Sequence, residues 1–528
     1  MRKLFLASLT MGTLLLLLGG PAGARVDSAA ETTRYVVAFS SPKAVPASAD
    51  RMVAQAGGVI VARSPQIGAA LAESADPAFA QKLAAYDGVR AVGVDVMATV
   101  PSPDVEDPLI ESHVDGGRES PPGPDPQPGT EPLYNQQWDK MRVNASATGS
   151  YAIQRGRRDV VVAVLDTGAD VLPSAHVDIA PNLDYARSRS FVTSAGAALP
   201  DPNGDPNPAS WDDRHGHGSW CLSAVGAPIN GAGISGVAPT VTLVALKVLG
   251  DTGSGSYFAV ANALVYAGNN KFDVASMSLG GTLRHAQGGN AIWIVVQRAV
   301  EHARANGVLP VASAGNANRD AEGNGGVFRD FVISPAGHAG VVAVAATGYY
   351  NQKAFYSNYG HGYIDVSAPG GSTRDHTGVP GSGVPVASPY RGQGRVLGAW
   401  SHENTGGVLP PNVEEHCDPA TGNCYAYAWV QGTSMAAPHV AGVAALIISQ
   451  YGDFETKNPQ QGHMPPQKVE QILAISANNQ PCPAPGTFTG GPGFTSADDA
   501  CVGESGYNNF FGKGIVDAVK AVTVHGNP

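Results

Sequence analysis

The sequence predicts an α/β protein with a doubly wound, mostly parallel sheet, preceded by a small ferredoxin-like α+β unit. Three observations predict it. Short apolar runs alternate with helix-like segments after residue 133, two strand–helix–strand passages precede residue 100, and a stretch rich in Pro, Gly and acid separates the two regions. With 528 residues, 43% of them hydrophobic, the chain is long enough for more than one folded unit.

The first 24 residues have the pattern of a secretory signal peptide. A basic start (Arg2, Lys3) precedes an apolar run and an Ala22-Gly23-Ala24 ending. The alternative is a membrane anchor, but the apolar run is short of the roughly 20 residues that span a bilayer. We therefore expect a secreted, extracellular protein that is not membrane-bound in its mature form.

Residues 34–100 and 101–132 predict a small folded unit and a linker. Strand-like "YVVAFS" (35–40) and helix-like "ADRMVAQAGG" (49–58) are followed by a second such passage, which suggests a ferredoxin-like fold. Residues 101–132 are poor in apolar side chains, as a flexible, cleavable linker would be.

Residues 133–525 predict the large domain. The runs 159–166, 240–249, 272–281, 308–316 and 340–347 are almost continuously apolar, as strands buried on both faces of a parallel sheet are. Functional groups gather at the carboxyl ends of such strands. The net charge of −11 argues against a nucleic-acid partner.

The five cysteines suggest two local disulfides, Cys417 with Cys424 and Cys482 with Cys501, in an oxidising compartment. Cys221 is left over. Residues 416–424 also have some features of a metal site, but they lack a second pair of ligands.

Three stretches place reactive side chains where this architecture would use them. Asp166 follows a strand, His215 and His217 lie in "DDRHGHGSW", and Ser434 begins an apolar helix. Taken singly, Asp166 could be a turn former and Ser434 an N-cap serine. Together they give the order Asp, His, Ser, which is one of the chain orders of the serine-hydrolase triad.

The motifs "VAVLDTG", "GHGSW", "ASMSLGG", "ASAGN" and "GTSMAAPHVAG" resemble the successive motifs of the subtilisin-like serine peptidases. The resemblance runs from about residue 133 to 520, and residues 34–100 resemble the inhibitory propeptide of that family more weakly. It implies a secreted serine endopeptidase that acts through an acyl-enzyme and is made as an autoprocessed zymogen. The alternative is a catalytically inactive relative that acts as a binding protein.

The register of the family motif implies that His217 is the catalytic base and that His215 is a solvated loop residue. Trp220 stands where the family has a second histidine, and Leu222 and Ser223 replace its usual Ala and Gly. Cys221 matches the position of a free thiol in the proteinase K branch, which implies an unpaired, buried cysteine.

The resemblance also implies roles for the other site residues. Ser434 would attack the scissile carbonyl, Asp166 would orient His217, and Asn316 would donate to the oxyanion together with the Ser434 backbone N–H. Two edges of the cleft would bind an extended substrate as an added strand. Their predicted substrate-binding residues are Ser278, Leu279, Gly280, Gly253, Ser254 and Gly255.

The sequence leaves the roles of two segments open. About sixty loop-like residues (372–430) precede the Ser434 motif, and they would either shape specificity or decorate the surface. Residues 201–213 place oxygen side chains loosely as a calcium loop does, but with Pro206 where glycine is expected. We expect no cofactor or metal in catalysis, leave structural calcium open, and expect a monomer whose partners are protein or peptide substrates and its own propeptide.

Overall fold

The computed structural model describes residues 32–100, 131–284, 289–322, 331–375, 384–385, 394–408, 412–418, 421–455, 463–483, 500–504 and 506–524. The predicted signal peptide and nearly all of the predicted linker lie outside these ranges. No helix within the described ranges has both the length and the apolar character to cross a membrane.

The N-terminal unit is a four-stranded antiparallel sheet with two helices. Its elements are, in order, β1 (Thr33–Phe39), α1 (Ala49–Gln55), β2 (Gly58–Ser64), β3 (Ala69–Ser74), α2 (Phe79–Ala84) and β4 (Val89–Val94). The strands lie in the order β2-β3-β1-β4. Alternate residues of β1 face opposite sides: Val37 packs under the two helices, whereas Val36 and Ala38 pack against the large domain. A further strand, β5 (Met97–Thr99), leaves this sheet.

The large domain is built on a seven-stranded sheet in which all neighbouring strands are parallel. Its strands, in chain order, are β6 (Val161–Asp166), β7 (Arg189–Ser190), β8 (Thr242–Lys247), β10 (Val274–Met277), β12 (Leu309–Ser313), β14 (Val342–Thr347) and β15 (Val366–Pro369). Their spatial order is β15-β14-β12-β10-β6-β8-β7. The five apolar runs each contain one of these strands, and the predicted doubly wound α/β fold is confirmed.

Helices cover both faces of this sheet. Val162 and Val164 of β6 pack in one core with α5 (His217–Gly226) and α8 (Thr433–Tyr451), while Leu165 packs on the other side with α6 (Tyr257–Asn269) and α7 (Gly289–Ala305). The remaining helices are α3 (Trp138–Arg142), α4 (Pro208–Trp211), α9 (Pro466–Ser476) and α10 (Ala518–Thr523). Burial on both faces explains why the strand runs are apolar throughout rather than alternating.

Short strand pairs complete the fold. β9 (Ser254–Ser256) pairs with β5, and β11 (Gly281–Arg284) pairs with β13 (Phe331–Ser334). The others are β16 (Arg374–Asp375) with β17 (Val384–Pro385), and β21 (Gly503–Glu504) with β22 (Tyr507–Asn508). Disulfides join Cys417 to Cys424 and Cys482 to Cys501, which confirms both predicted pairs.

The segment predicted to be loop-like before α8 is in part a small antiparallel sheet, so that prediction was wrong there. Strands β18 (Val396–Ala399), β19 (Val413–Cys417) and β20 (Cys424–Val430) lie in the order β18-β20-β19. The buried aromatic residues of "YAYAWV" (425–430) pack this sheet on the domain, and they are the β-forming signal that the loop interpretation overlooked.

Trp220 of α5 packs against this added sheet. Its side chain is fully buried, and a Cβ placed on Gly398 of β18 would lie 2.4 Å from Trp220 Nε1. The neighbouring residue Ala399 donates its N–H to Ser223 Oγ at 3.0 Å. The unexpected tryptophan and serine of α5 are therefore both explained by contacts with β18.

We expect Gly398→Ala to lower the free energy of unfolding by about 1–3 kcal/mol, because the added methyl group would push on the Trp220 indole. Chemical denaturation measures the change. Gly506→Ala is the matched control, since a Cβ there meets nothing within 4 Å, and it should change stability by less than about 0.5 kcal/mol. Equal stability of the two variants would contradict the packing described here.

Candidate active site

The sheet brings the predicted catalytic side chains to one edge. Asp166 is the last residue of β6, and Asn316 follows β12, so both lie at carboxyl ends of parallel strands. His217 is the first residue of α5, and Ser434 is the second residue of α8. These two helices pack on the same face of the sheet, and the contacts of His217 with Asp166 and of Ser434 with Ser278 place their N-termini at that edge.

Asp166 and His217 form a buried pair. Asp166 Oδ1 lies 2.8 Å from His217 Nδ1 and also accepts the Thr167 N–H at 2.8 Å. Both side chains are at most 1% exposed. Because a carboxylate can only accept, we assign the imidazole proton to Nδ1. His217 Nε2 then carries a lone pair, and it has no hydrogen-bond partner among the described residues.

Asp213 holds the turn that presents His217. Its Oδ1 accepts the N–H groups of His215 and Gly216, and its Oδ2 accepts the N–H and the hydroxyl of Ser219. Burial by itself raises the pKa of Asp213, but the charge of Lys247 and these donors outweigh it and lower the pKa below its ordinary value. Asp213 is therefore ionised, and its hydrogen bonds fix the start of α5.

His215 is buried, so the expectation of a solvated loop residue was wrong. It is 6% exposed, and its ring centroid lies 6.2 Å from that of His217 and 6.3 Å from that of Trp400. Gly406 donates its N–H to the His215 carbonyl at 3.1 Å. Burial, followed by the nearby His217, lowers the pKa of His215. The histidine is therefore covered by Trp400 and Gly406 of the segment before α8 (residues 372–430, called the added segment below), which no motif could have indicated.

Ser434 and Asn316 are linked through Thr433. Asn316 Oδ1 accepts the Thr433 N–H at 2.9 Å and the Thr433 hydroxyl at 2.7 Å. This orientation leaves the Nδ2 of Asn316 as a donor. Asn358 fixes the same loop by bonding the backbone of residues 314, 317 and 319. Thr433 lies within the motif "GTSMAAPHVAG", whereas nothing in the sequence marks Asn358.

The Ser434 hydroxyl donates to the Ser278 carbonyl at 3.2 Å, and it is not hydrogen-bonded to His217. Ser434 lies at the start of α8, where backbone N–H groups have no acceptor within the helix. The site thus combines a serine, an imidazole nitrogen with a free lone pair and unpaired donors, which is the equipment for nucleophilic attack on a carbonyl.

Both predicted cleft edges hold β5 as an added strand. Thr99 exchanges two hydrogen bonds of 3.1 Å with Gly280, and the Val100 N–H donates to the Gly253 carbonyl at 2.7 Å. On the edge formed by β9, Ala98 lies opposite Gly255 and Thr99 opposite Ser254. Leu279, by contrast, is fully buried in the core.

Cys221 is unpaired and fully buried. Its Sγ lies 3.8 Å from both His217 Nδ1 and the Ser434 carbonyl oxygen. Burial raises the pKa of this thiol well above its ordinary value, so the sulfur remains protonated. Within the described ranges, Asp166, His217 and Cys221 are the one group of three whose potential ligand atoms all lie within 4.8 Å. Because His217 Nδ1 and Asp166 Oδ1 are already bonded to each other, the group fits acid–base chemistry.

The side-chain oxygens of residues 201–213 are used for turns and caps. Asp201, Asp205 and Asn207 each accept the backbone N–H two residues further on. Asp212 accepts the N–H groups of residues 171 and 172 at 3.0 Å. The arrangement does not converge on one point, and we derive no calcium site from this loop.

The added segment borders the cleft. Thr405 donates its hydroxyl to the Asp251 carbonyl at 2.7 Å, two residues before the edge glycine Gly253. His402 Nδ1 lies 2.9 Å from Asp170 Oδ2, so a second contact ties the segment to the loop that follows Asp166. Residues 402 and 405 of the segment therefore pack beside the site.

Comparison with known proteins agrees with this geometry. The subtilase family matches residues 157–514. M-protease of Shouchella clausii (strain KSM-K16) is 33% identical over 310 residues, covering 59% of this chain and 59% of that protein. Subtilisin Savinase of Lederbergia lenta is 34% identical over 310 residues, covering 59% of this chain and 83% of that protein.

The fold is also similar to that of a crystal structure. The epidermin leader peptide processing serine protease (EpiP) from Staphylococcus aureus superposes with a TM-score of 0.65 at 21% identity, covering 94% of this chain and 99% of the other. This likeness shows the fold. Because the family match covers more than half of the chain and includes all four predicted catalytic residues, the chain belongs to the subtilase family of subtilisin-like serine peptidases.

Proposed function

We propose that this protein is a secreted serine endopeptidase that hydrolyses peptide bonds in proteins and is made as an autoprocessed zymogen. The observation that carries the proposal is the buried hydrogen bond between Asp166 and His217, which leaves His217 Nε2 without a partner among the described residues. Cys221 Sγ, 3.8 Å from both His217 Nδ1 and the Ser434 carbonyl oxygen, places the serine in the same cluster. Aspartate orients the imidazole and stabilises its charged form, so that Nε2 can accept the proton of a serine hydroxyl.

The reaction follows from these positions. Ser434 Oγ turns from the Ser278 carbonyl to His217 Nε2, gives up its proton and attacks the carbonyl carbon of the scissile bond. The developing oxyanion accepts hydrogen bonds from Asn316 Nδ2 and from the Ser434 backbone N–H. His217 then protonates the leaving amine, and a water molecule activated by His217 hydrolyses the acyl-enzyme.

The proposed zymogen form is supported by the position of residues 97–100. They occupy both cleft edges as an extended strand, which is how a peptide substrate would bind and how a propeptide would block it. Arg298 of α7 also donates to the carbonyls of Ile67 and Gly68, so the N-terminal unit contacts the large domain at more than one place. In the proposed maturation, the linker is cut and the N-terminal unit is released.

Secretion is supported by the signal-like N-terminus and the two disulfides, since disulfides persist in oxidising compartments. The proposed partners are protein or peptide substrates and the chain's own propeptide. We propose that the mature enzyme is a monomer and that catalysis needs no cofactor, because the described residues already supply the nucleophile, the base and the oxyanion donors.

Ser434→Ala should abolish hydrolysis of casein and labelling by a fluorophosphonate, because it removes the proposed nucleophile, and the neighbouring Thr433 hydroxyl is already donated to Asn316 Oδ1. The full-length variant should also remain uncleaved. Gel electrophoresis, fluorescence of the label and casein release measure the three effects. Equal activity in wild type and variant would contradict the role of Ser434 as nucleophile, whereas a wild type that neither hydrolyses casein nor takes the label would favour the inactive binding-protein alternative.

His217→Ala should lower kcat by about 10⁴-fold or more, because the imidazole proposed to accept the Ser434 proton is lost. His215→Ala removes a ring that has no hydrogen bond to the triad, and the variant should keep most of its activity. Initial rates on one peptide substrate compare the two. A larger loss of activity in His215→Ala than in His217→Ala would show that the base is His215 and not His217.

The mature N-terminus should lie between residues 101 and 133. Residues up to Val100 pair with the cleft edges, whereas Leu133 donates its N–H to the Gly233 carbonyl and Asp139 Oδ2 lies 2.8 Å from His439 Nε2 of α8. Removal of residues beyond 133 would therefore break core contacts. The intact mass of the secreted protein gives the answer, and a start before residue 101 or after 133 would contradict the proposed boundary.

A further inference from the structure

We infer that Ser278 is a positioning residue for the nucleophile, in addition to its place on a cleft edge. Its hydroxyl donates a hydrogen bond to the backbone carbonyl of Ser434. That carbonyl lacks its usual partner within α8 because Pro438 has no N–H. The inference rests on the proposed peptidase function and adds a residue through which that function depends on the central sheet.

Pro438 creates the unpaired carbonyl. In an α-helix, the carbonyl of one residue accepts the N–H of the residue four positions later. For Ser434 that residue is Pro438, which has no N–H and lies inside α8. Ser434 is 1% exposed, so water cannot take the place of the missing donor. A buried carbonyl without a partner is costly, and the fold must supply one.

Ser278 supplies it. Its Oγ donates to the Ser434 carbonyl at 2.7 Å, and the side chain is fully buried. In return the Ser434 hydroxyl donates to the Ser278 carbonyl at 3.2 Å. The thiol of Cys221 is a second, weaker donor at 3.8 Å from the same carbonyl. Each serine hydroxyl therefore donates a hydrogen bond to the backbone carbonyl of the other serine.

The pair ties the first turn of α8 to the sheet. Ser278 directly follows β10, whose last residue, Met277, is paired with neighbouring strands on both sides. Small displacements of a nucleophile are costly to the rate, and the Ser434 backbone carries both the attacking hydroxyl and an oxyanion donor. Loss of the Ser278 hydroxyl should therefore impair the chemical step.

The same change should leave substrate binding intact. A cleft edge binds an extended peptide through its backbone groups, and these remain when the side chain is shortened. A positioning role thus predicts a fall in kcat with an unchanged KM. A side chain that contacted the substrate would instead change KM.

Ser278→Ala, Ser278→Thr and Ser276→Ala form the test set. Ser276 lies in β10 two residues earlier, and its buried hydroxyl has no partner within the described part of the chain, so Ser276→Ala is the matched control. We expect Ser278→Ala to lower kcat and the rate of fluorophosphonate labelling about tenfold, with KM changed less than about twofold. Ser278→Thr keeps the hydroxyl and should restore most of the rate, and Ser276→Ala should match wild type.

Pro438→Ala provides a second, independent arm. Alanine at 438 restores an N–H that can reach the Ser434 carbonyl along the helix, so Ser278→Ala should cost less than about twofold in that background. The same tenfold loss in both backgrounds would overturn the inference, as would wild-type kcat in Ser278→Ala or an increase in KM alone.

Ser278→Cys covers the case in which Ser278→Ala does not fold. A thiol is a weak donor of similar shape, and kcat should fall by about threefold; wild-type kcat in this variant would overturn the inference. A wild-type protein that neither hydrolyses casein nor takes the label would overturn the proposed function as well. An active wild type with an unimpaired Ser278→Ala would overturn only the role of Ser278.

Discussion

The parallel pairing of β6 with β10 and β8 fixes the position of Asp166, and the remaining site is arranged around that carboxylate. Parallel strands end at one edge of the sheet, so the residues that follow β10 and β12 arrive beside Asp166 without long loops. The helices α5 and α8 pack on one face of the sheet, and their first residues contact Asp166 and Ser278 at this edge. An unpaired carboxylate buried here would be costly, and its bond to His217 removes part of that cost.

The residues before α8 extend this arrangement beyond the central sheet. Strands β18, β19 and β20 form a sheet closed by the Cys417–Cys424 disulfide, and β20 leads almost directly into the helix of the nucleophile. The same sheet packs on Trp220 behind His217. One added element is thus continuous with the helix of the nucleophile and in contact with the helix of the base, and it also covers His215.

Much of the fold was predictable, because burial on both faces makes each central strand a continuous apolar run. The triad was predictable because its motifs are local in sequence. The expectations that failed concern contacts between residues that are far apart in the sequence. His215 looked like an ordinary loop residue because Gly406 and Trp400, which bury it, are far away in the chain. Trp220 had no explanation for the same reason, since Gly398 lies in a segment whose strands were interpreted as loop.

The contact between Trp220 and Gly398 couples the two positions. A larger residue at 398 would collide with the indole, and a smaller residue at 220 would leave a gap behind α5. The effects of substitutions at the two positions should therefore not be additive. A design that moved strands β18 to β20 onto another scaffold would have to carry Trp220 and its helix with them.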